Sequence, residues 1–181
     1  GELIITKNTV VSKALDDRAG CYILIKTIQN IKNSKNDLYF VFSSQEEIGL
    51  RGAKTAAFAI NPDFAVAVDV TDTGDVPSAS AMVVKKGKGA AVKIMDRSVI
   101  CDADVRIKLI ETAKKHGVPY QLEIMTEGGT NAGAIHLTRA GIKTGAVSLP
   151  ARYIHSPSEM IDTKDLENCC KLIKAAAETE W

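Results

Sequence analysis

Two adjacent carboxylates, Glu46 and Glu47, stand where the apolar run Phe40-Val41-Phe42 gives way to Ser43-Ser44-Gln45 and the glycine-punctuated stretch Ile48-Gly49-Leu50-Arg51-Gly52-Ala53 begins. Neighbouring carboxylates repel unless a cation or a shared proton compensates. The pair therefore fits one acid that binds a metal and one that moves a proton. It would equally serve as a solvated acidic turn at a helix N-terminus. Three more points of the chain carry residues of the same kind: Asp16-Asp17 ahead of an apolar helical pattern, Asp69 closing an apolar run, and His155 within Arg152-Tyr153-Ile154-His155-Ser156-Pro157. Carboxylates with one imidazole form a mixed oxygen and nitrogen donor set suited to zinc, cobalt or manganese. Two close metals further require a carboxylate that bridges them. Read singly, each residue has a plainer role: Asp16 or Asp17 as a helix N-cap, Asp69 as a turn residue, His155 as a hydrogen-bonded surface histidine. His116 and His136, at a helix end and inside a helical pattern, are read as structural.

Such residues act together only if a scaffold brings them to one edge. Residues 38–44, aromatic and branched, predict a buried strand of a sheet covered on both faces, followed by a helix over 49–59. Before them, 3–11 reads as one extended segment and 19–31 as a helix. After them come a strand over 64–70, strands within 82–95 around Lys85-Lys86-Gly87-Lys88-Gly89, and a helix over 104–116. A strand over 120–125, a loop over 126–130, a helix over 131–140, a strand over 142–149 and a helix over 165–178 complete the chain. Strands alternating with helices predict an α/β fold, a three-layer αβα sandwich with a mostly parallel mixed sheet. In such sheets ligands gather at the carboxyl edge, which is where Glu46, Glu47 and Asp69 fall in this reading. The small residues Gly128-Gly129-Thr130 would let a substrate approach the backbone, or simply turn the chain from strand to helix.

With 181 residues, 45% of them hydrophobic, the chain has material for a single domain with a full core. Its 23 basic and 22 acidic residues leave a formal charge of +1 with no long run of either sign, so neither nucleic acid nor an anionic membrane is an expected partner. No apolar run approaches the ~18 residues that span a bilayer, and the first residues lack a signal-peptide layout; the chain is read as cytoplasmic. Cys21, Cys101, Cys169 and Cys170 have neither zinc-ribbon nor disulfide-framework spacing and are expected to behave as small buried apolar residues.

Five segments then combine: Leu15-Asp16-Asp17-Arg18-Ala19-Gly20, Gln45 through Ala53, Ala67-Val68-Asp69-Val70-Thr71 with Gly74-Asp75, Glu127-Gly128-Gly129-Thr130-Asn131-Ala132, and Tyr153-Ile154-His155-Ser156-Pro157. In this order, across nearly the whole chain, they resemble the cocatalytic metallo-aminopeptidases called tetrahedral and glutamyl aminopeptidases, some of which carry the label cellulase M or endoglucanase. The resemblance implies a zinc-dependent exopeptidase-like fold and hydrolysis of N-terminal residues from peptides by a metal-activated water. It implies Glu46 as general base, Asp16 as the bridging carboxylate, and Glu47, Asp69 and His155 as further metal ligands. Two divalent metals, zinc or cobalt foremost and manganese as a third choice, a cis peptide between Asp16 and Asp17, and a homo-oligomer follow from it too. The family's other label implies endoglucanase activity.

The resemblance also implies a further histidine, in a His-x-Asp segment ahead of the Asp16 motif, with an inserted dimerisation domain between the two. Fifteen residues without a histidine precede Asp16. Residues 1–181 are therefore read as one partial catalytic domain, in which Asp16, Glu47 and His155 complete one metal site while Asp16 and Asp69 remain at the other. An inactive metal-binding or assembly module is the competing reading.

Overall fold

The structure, a computed structural model, describes residues 2–79 and 81–181. Two short strands open the chain, β1 (Ile4–Ile5) and β2 (Thr9–Ser12), paired antiparallel with Ile4 opposite Val11. The single extended segment expected over 3–11 is thus a hairpin; the amide of Thr6 donates to Thr9 O at 2.8 Å and turns the chain back. Helix α1 (Leu15–Asn30) follows, although Asp16 and Asp17 keep non-helical dihedrals and the regular helix starts after them.

Residues 38–44 form no strand, contrary to expectation. Among the described residues, no backbone hydrogen bond joins 38–43 to a neighbour, and Tyr39 and Phe42 are 65% and 50% exposed. Apolar, β-branched composition favours a pleated surface, but a strand also needs a partner for its amides and carbonyls, and none lies alongside among the described residues. Glu46 and Glu47 consequently sit in a turn leading to α2 (Arg51–Ile60), not at the end of a paired strand.

The remaining elements are β3 (Phe64–Thr71), β4 (Ala90–Met95), α3 (Ala103–Lys115), β5 (Tyr120–Ile124), α4 (Ala132–Ile135), β6 (Lys143–Arg152), β7 (Glu159–Asp162) and α5 (Thr163–Glu178). The sheet is mixed, and its two longest ladders, β3 with β6 and β4 with β5, are parallel. Antiparallel pairings join β4 to β6, β6 to β7 and β7 to β2, so the N-terminal hairpin extends the sheet. Residues 82–89, expected to contain a strand, form a loop. Gly87 and Gly89 take φ of 82° and 98°, and their amides donate to the two carboxylate oxygens of Asp165 on α5 at 2.5 and 2.7 Å. Helix α4 is shorter than expected because residues 136–141 turn, ending at Gly141 with φ 103°.

Alternation along β3 and β6 builds the layers. Val70, Val147 and Leu149 pack on one face with Ile23 of α1, Val105 and Leu109 of α3, and Leu172 of α5, while Ala67 and Ala146 pack on the other with Ala132 of α4. Helices therefore cover both faces, the expected αβα arrangement. Each fully buried aliphatic side chain such as Ile23 or Leu109 contributes about 1.5–3 kcal/mol. Helix α3 is fixed at its start by Asp102, whose carboxylate accepts from the amides of Asp104 and Val105, and at its end by Lys114 and Lys115 before Gly117 at φ 62°. Cys101 and Cys169 are buried as expected, but Cys21 is exposed, because it falls on the outward side of α1. No helix among the described residues is long and apolar enough to cross a membrane.

Candidate metal centre

Three segments far apart in the chain meet at the edge where α1, α2 and β7 begin. Ala14, left-handed at φ 53°, turns the chain from β2 into Asp16, and the Asp16–Asp17 peptide is cis. Asp17 folds back on α1, its Oδ1 accepting the Gly20 amide at 2.9 Å. A side chain at residue 20 would place Cβ 2.3 Å from Asp17 Oδ2, so only glycine fits under that carboxylate. Glu46 and Glu47 lie in a turn closed by Glu46 O, which accepts from Gly49 and Leu50 at 3.1 and 2.9 Å. His155 occupies the connection between β6 and β7, with φ 62°. Asp69 points from β3 on the Ala67 face, 8% exposed, and its Oδ1 accepts the Val70 amide at 2.8 Å.

The convergence is close. His155 Nε2 lies 3.0 Å from Asp16 Oδ2 and 3.2 Å from Glu47 Oε1. Donor atoms of Asp16, Glu47 and His155 all fall within 4.8 Å of one another, and so do donor atoms of Asp16, Asp17 and Asp69. Asp16 is common to both triplets, as a bridging carboxylate must be, and Glu46 belongs to neither. Two oxygens and one imidazole nitrogen leave a fourth position open, a donor set that suits a catalytic zinc-type ion, whereas the second triplet offers carboxylates alone. Asp17 stood with Asp16 among the candidate carboxylates of the sequence, but the family resemblance assigned a ligand role to Asp16 alone. His136 is turned to its own helix, Nδ1 3.0 Å from Ala132 O, in keeping with a structural role.

The electrostatics follow from crowding. Burial, then the Glu47 charge, raises Asp16 to about 6; burial, then Glu47 and Asp16, raises Glu46 to about 7. Burial, then the neighbouring carboxylates Asp16 and Glu46, carries Asp17 to about 8, and burial with the Asp17 charge holds Asp69 well above the carboxylate range. Burial works against charge on His155, but the Glu47 and Asp16 carboxylates outweigh it and raise the imidazole. Asp16, Asp17, Glu46 and Asp69 are held back from ionising by burial and by neighbouring charge, a penalty that a cation among them removes.

The loop Gly128-Gly129-Thr130 is tied to the same region. Asn131 Nδ2 donates to Ser43 Oγ at 3.2 Å, linking the loop to the segment that enters Glu46. Gly128 has φ 73°, and a Cβ on Gly129 would approach Ser98 Oγ to 2.8 Å, so the exposed backbone rests directly on the 96–99 turn. Asp96 holds that turn by accepting from the amides of Ser98 and Val99, and it lies 3.6 Å from the fully buried Lys93, itself paired with Glu123. Thr130 is buried and its Oγ1 accepts the Ala132 amide, so its side chain supports α4.

Two supports were given no role in the sequence reading, although Asp75 lies in one of its five segments. Glu159, 2% exposed, accepts the Asp16 amide on Oε2 and the His155 amide on Oε1, both at 2.9 Å. Asp75, in the loop after β3, receives a two-pronged contact from Arg152, Nε at 3.1 Å and Nη2 at 2.7 Å, which joins the Asp69 strand to the His155 turn. Arg152 holds the Asp75 carboxyl down at about 2. A folded-state pKa below the unfolded value gives stability that is present above about pH 4 and lost as pH falls through about 2. Asp75→Asn should therefore cost on the order of 1 kcal/mol at neutral pH, with the difference from wild type vanishing near pH 2; denaturant melts at several pH values measure it.

An α/β sheet with carboxylates and an imidazole gathered at loop junctions, beside a glutamate outside the ligand set, has the parts that metal-dependent hydrolysis uses. Residues 1–172 match the M42 glutamyl aminopeptidase family, and the chain belongs to that family. A putative aminopeptidase of Acetivibrio thermocellus is 53% identical over 176 residues, covering 97% of this chain and 53% of that protein. Aminopeptidase APDkam598 from the archaeon Desulfurococcus kamchatkensis superposes with a TM-score of 0.95 at 39% identity, over 99% of this chain and 52% of that one. The TET1 peptidase of Pyrococcus horikoshii, described as assembling into a tetrahedron or a large octahedral shell, superposes with a TM-score of 0.83 at 34% identity, over 99% and 53%. The chain thus spans about half the length of these relatives.

Proposed function

We propose that this chain is the metal-holding part of an aminopeptidase that removes N-terminal residues from peptides. The observation that carries the reading is the meeting of Asp16, Glu47 and His155 donor atoms within 4.8 Å, with Glu46 beside them and outside the set. Asp16, Glu47 and His155 would hold one divalent ion, zinc or cobalt before manganese, and Asp16 with Asp69, joined by Asp17, would face a second. The ions would supply Lewis acidity toward the scissile carbonyl and lower the pKa of a water. Glu46 accepts the proton released from that water and passes it to the leaving amine. The exposed Gly128-Gly129 backbone offers amides and carbonyls to an extended peptide, with Thr130 fixing the loop from below.

Family membership and the aminopeptidase relatives support peptide substrates; the described assembly of the TET1 peptidase supports a homo-oligomer. The absence, among the described residues, of a helix able to span a membrane, together with four free cysteines, supports a cytoplasmic setting. Endoglucanase activity fits less well. Glycoside hydrolysis places two carboxyl groups on opposite sides of a sugar, whereas these carboxylates converge with a histidine on one point.

Aminoacyl-nitroanilides and soluble cellulose, each offered with and without a chelator, separate the readings. Release of nitroaniline that stops with chelator and returns with added zinc or cobalt is the expected result. Chelator-insensitive release of sugar ends would replace this reading with the glycosidase, and zinc binding without any hydrolysis would leave the inactive module.

A further inference from the structure

Glu159 begins β7 opposite Ser12 of β2, in the sheet register, and its carboxylate is buried behind the metal centre. A carboxylate accepts hydrogen bonds and donates none, so it must be surrounded by donors when buried. Here the two donors are the backbone amides of Asp16 and His155, each at 2.9 Å and each on a different oxygen. They are 143 and 4 residues away in sequence, so the arrangement is more than a local turn. Both gripped segments contain left-handed non-glycine residues: Ala14 at φ 53° just ahead of Asp16, and Tyr153 and His155 at φ 59° and 62°. Non-glycine residues hold left-handed dihedrals only where surrounding contacts fix them, and Glu159 supplies such a contact on both sides.

We propose that Glu159 is the positioning residue of the metal centre: one buried carboxylate clamps the amides of Asp16 and His155 and sets these two ligands at the separation a single cation needs. The inference rests on the reading of Asp16, Glu47 and His155 as a metal site. Glu159 itself belongs to neither group of converging donor atoms; both its oxygens are engaged by the two amides. Its negative charge, held just behind the donor set, adds to the field that draws a cation in.

Glu159→Gln retains the shape but keeps one accepting oxygen and turns an NH₂ group toward the other amide, so one of the two bonds is lost. Zinc titration of the metal-free 181-residue chain by calorimetry should show affinity lowered about 10–100-fold, the range for residues that orient metal ligands. The visible spectrum of the cobalt-loaded chain should change as well, because the ligand geometry relaxes. Glu159→Asp, which keeps the charge but is one methylene shorter, cannot reach both amides and should move affinity and spectrum in the same direction, so the test survives if the glutamine variant fails to fold. A purely structural glutamate would lower the melting temperature and leave both readouts of the folded protein untouched; that result in either variant overturns the proposal. Asp16→Asn is the control. If it abolishes zinc binding while Glu159 variants bind like wild type, the positioning role alone falls; if the wild-type chain binds no zinc, the metal site falls and the positioning role with it.

Discussion

Glu46→Gln should lower peptide hydrolysis by about 10²–10⁴-fold, the contribution of a positioned proton-transfer group, while leaving the zinc content close to that of the unaltered enzyme. Glu46 lies outside both triplets of converging donors, so its removal takes no ligand from an ion. It is nevertheless near enough to share their field, since burial first, then the Glu47 and Asp16 charges, raises it to about 7 in the metal-free site. The amide of glutamine fills the same space and cannot accept a proton. Steady-state rates on an aminoacyl-nitroanilide, with metal content measured on the same preparation, check the prediction. Full activity in the variant would remove Glu46 from the mechanism.

The neighbouring substitution should do the opposite. Glu47→Gln replaces an anionic oxygen 3.2 Å from His155 Nε2 with a neutral one, and a neutral amide is a poorer ligand for a zinc-type ion than a carboxylate. Loss of zinc affinity should reach or exceed the roughly 10–100-fold that follows removal of mere supporting groups around a metal. Activity should then return in part at high zinc concentration, which Glu46→Gln cannot show. Elemental analysis of the two variants side by side distinguishes the roles. Zinc retained in Glu47→Gln and lost in Glu46→Gln would exchange the assignments of the two glutamates.

How much of this was legible in the sequence differs from element to element. Strands β3 and β6 and helices α3 and α5 were, because they carry long apolar runs or amphipathic periods, although the caps Asp102 and Asp162 that start the two helices were found only in the structure. Residues 38–44 carry an equally strong strand signal and form no strand, since pairing is a property of a neighbour and not of composition. The four residues of β7 were missed for the converse reason: Glu159 and Asp162 bracket only two apolar residues, yet β2 and β6 pair with them on either side. At the centre, residue types and the family resemblance pointed to Asp16, Glu47 and His155, and the fold brings those three together. Asp17 was legible only as a candidate carboxylate and Glu159 was not legible. Asp17 reads as a helix cap and is one, through Gly20, while also joining Asp16 and Asp69. Glu159 acts through a hydrogen bond to a residue 143 positions away, which no local pattern reveals.

Whether Asp16, Glu47 and His155 hold an ion together decides the proposed function. Calorimetric titration of the metal-free chain with zinc, run on the wild type, Glu46→Gln and Glu47→Gln, measures this most directly. One tight site per chain is predicted, because the Asp16, Asp17 and Asp69 carboxylates without an imidazole make a far weaker second site. That tight site should persist in Glu46→Gln and disappear in Glu47→Gln. No tight site in the wild type, or a tight site that Glu47→Gln leaves intact, would contradict the assignment.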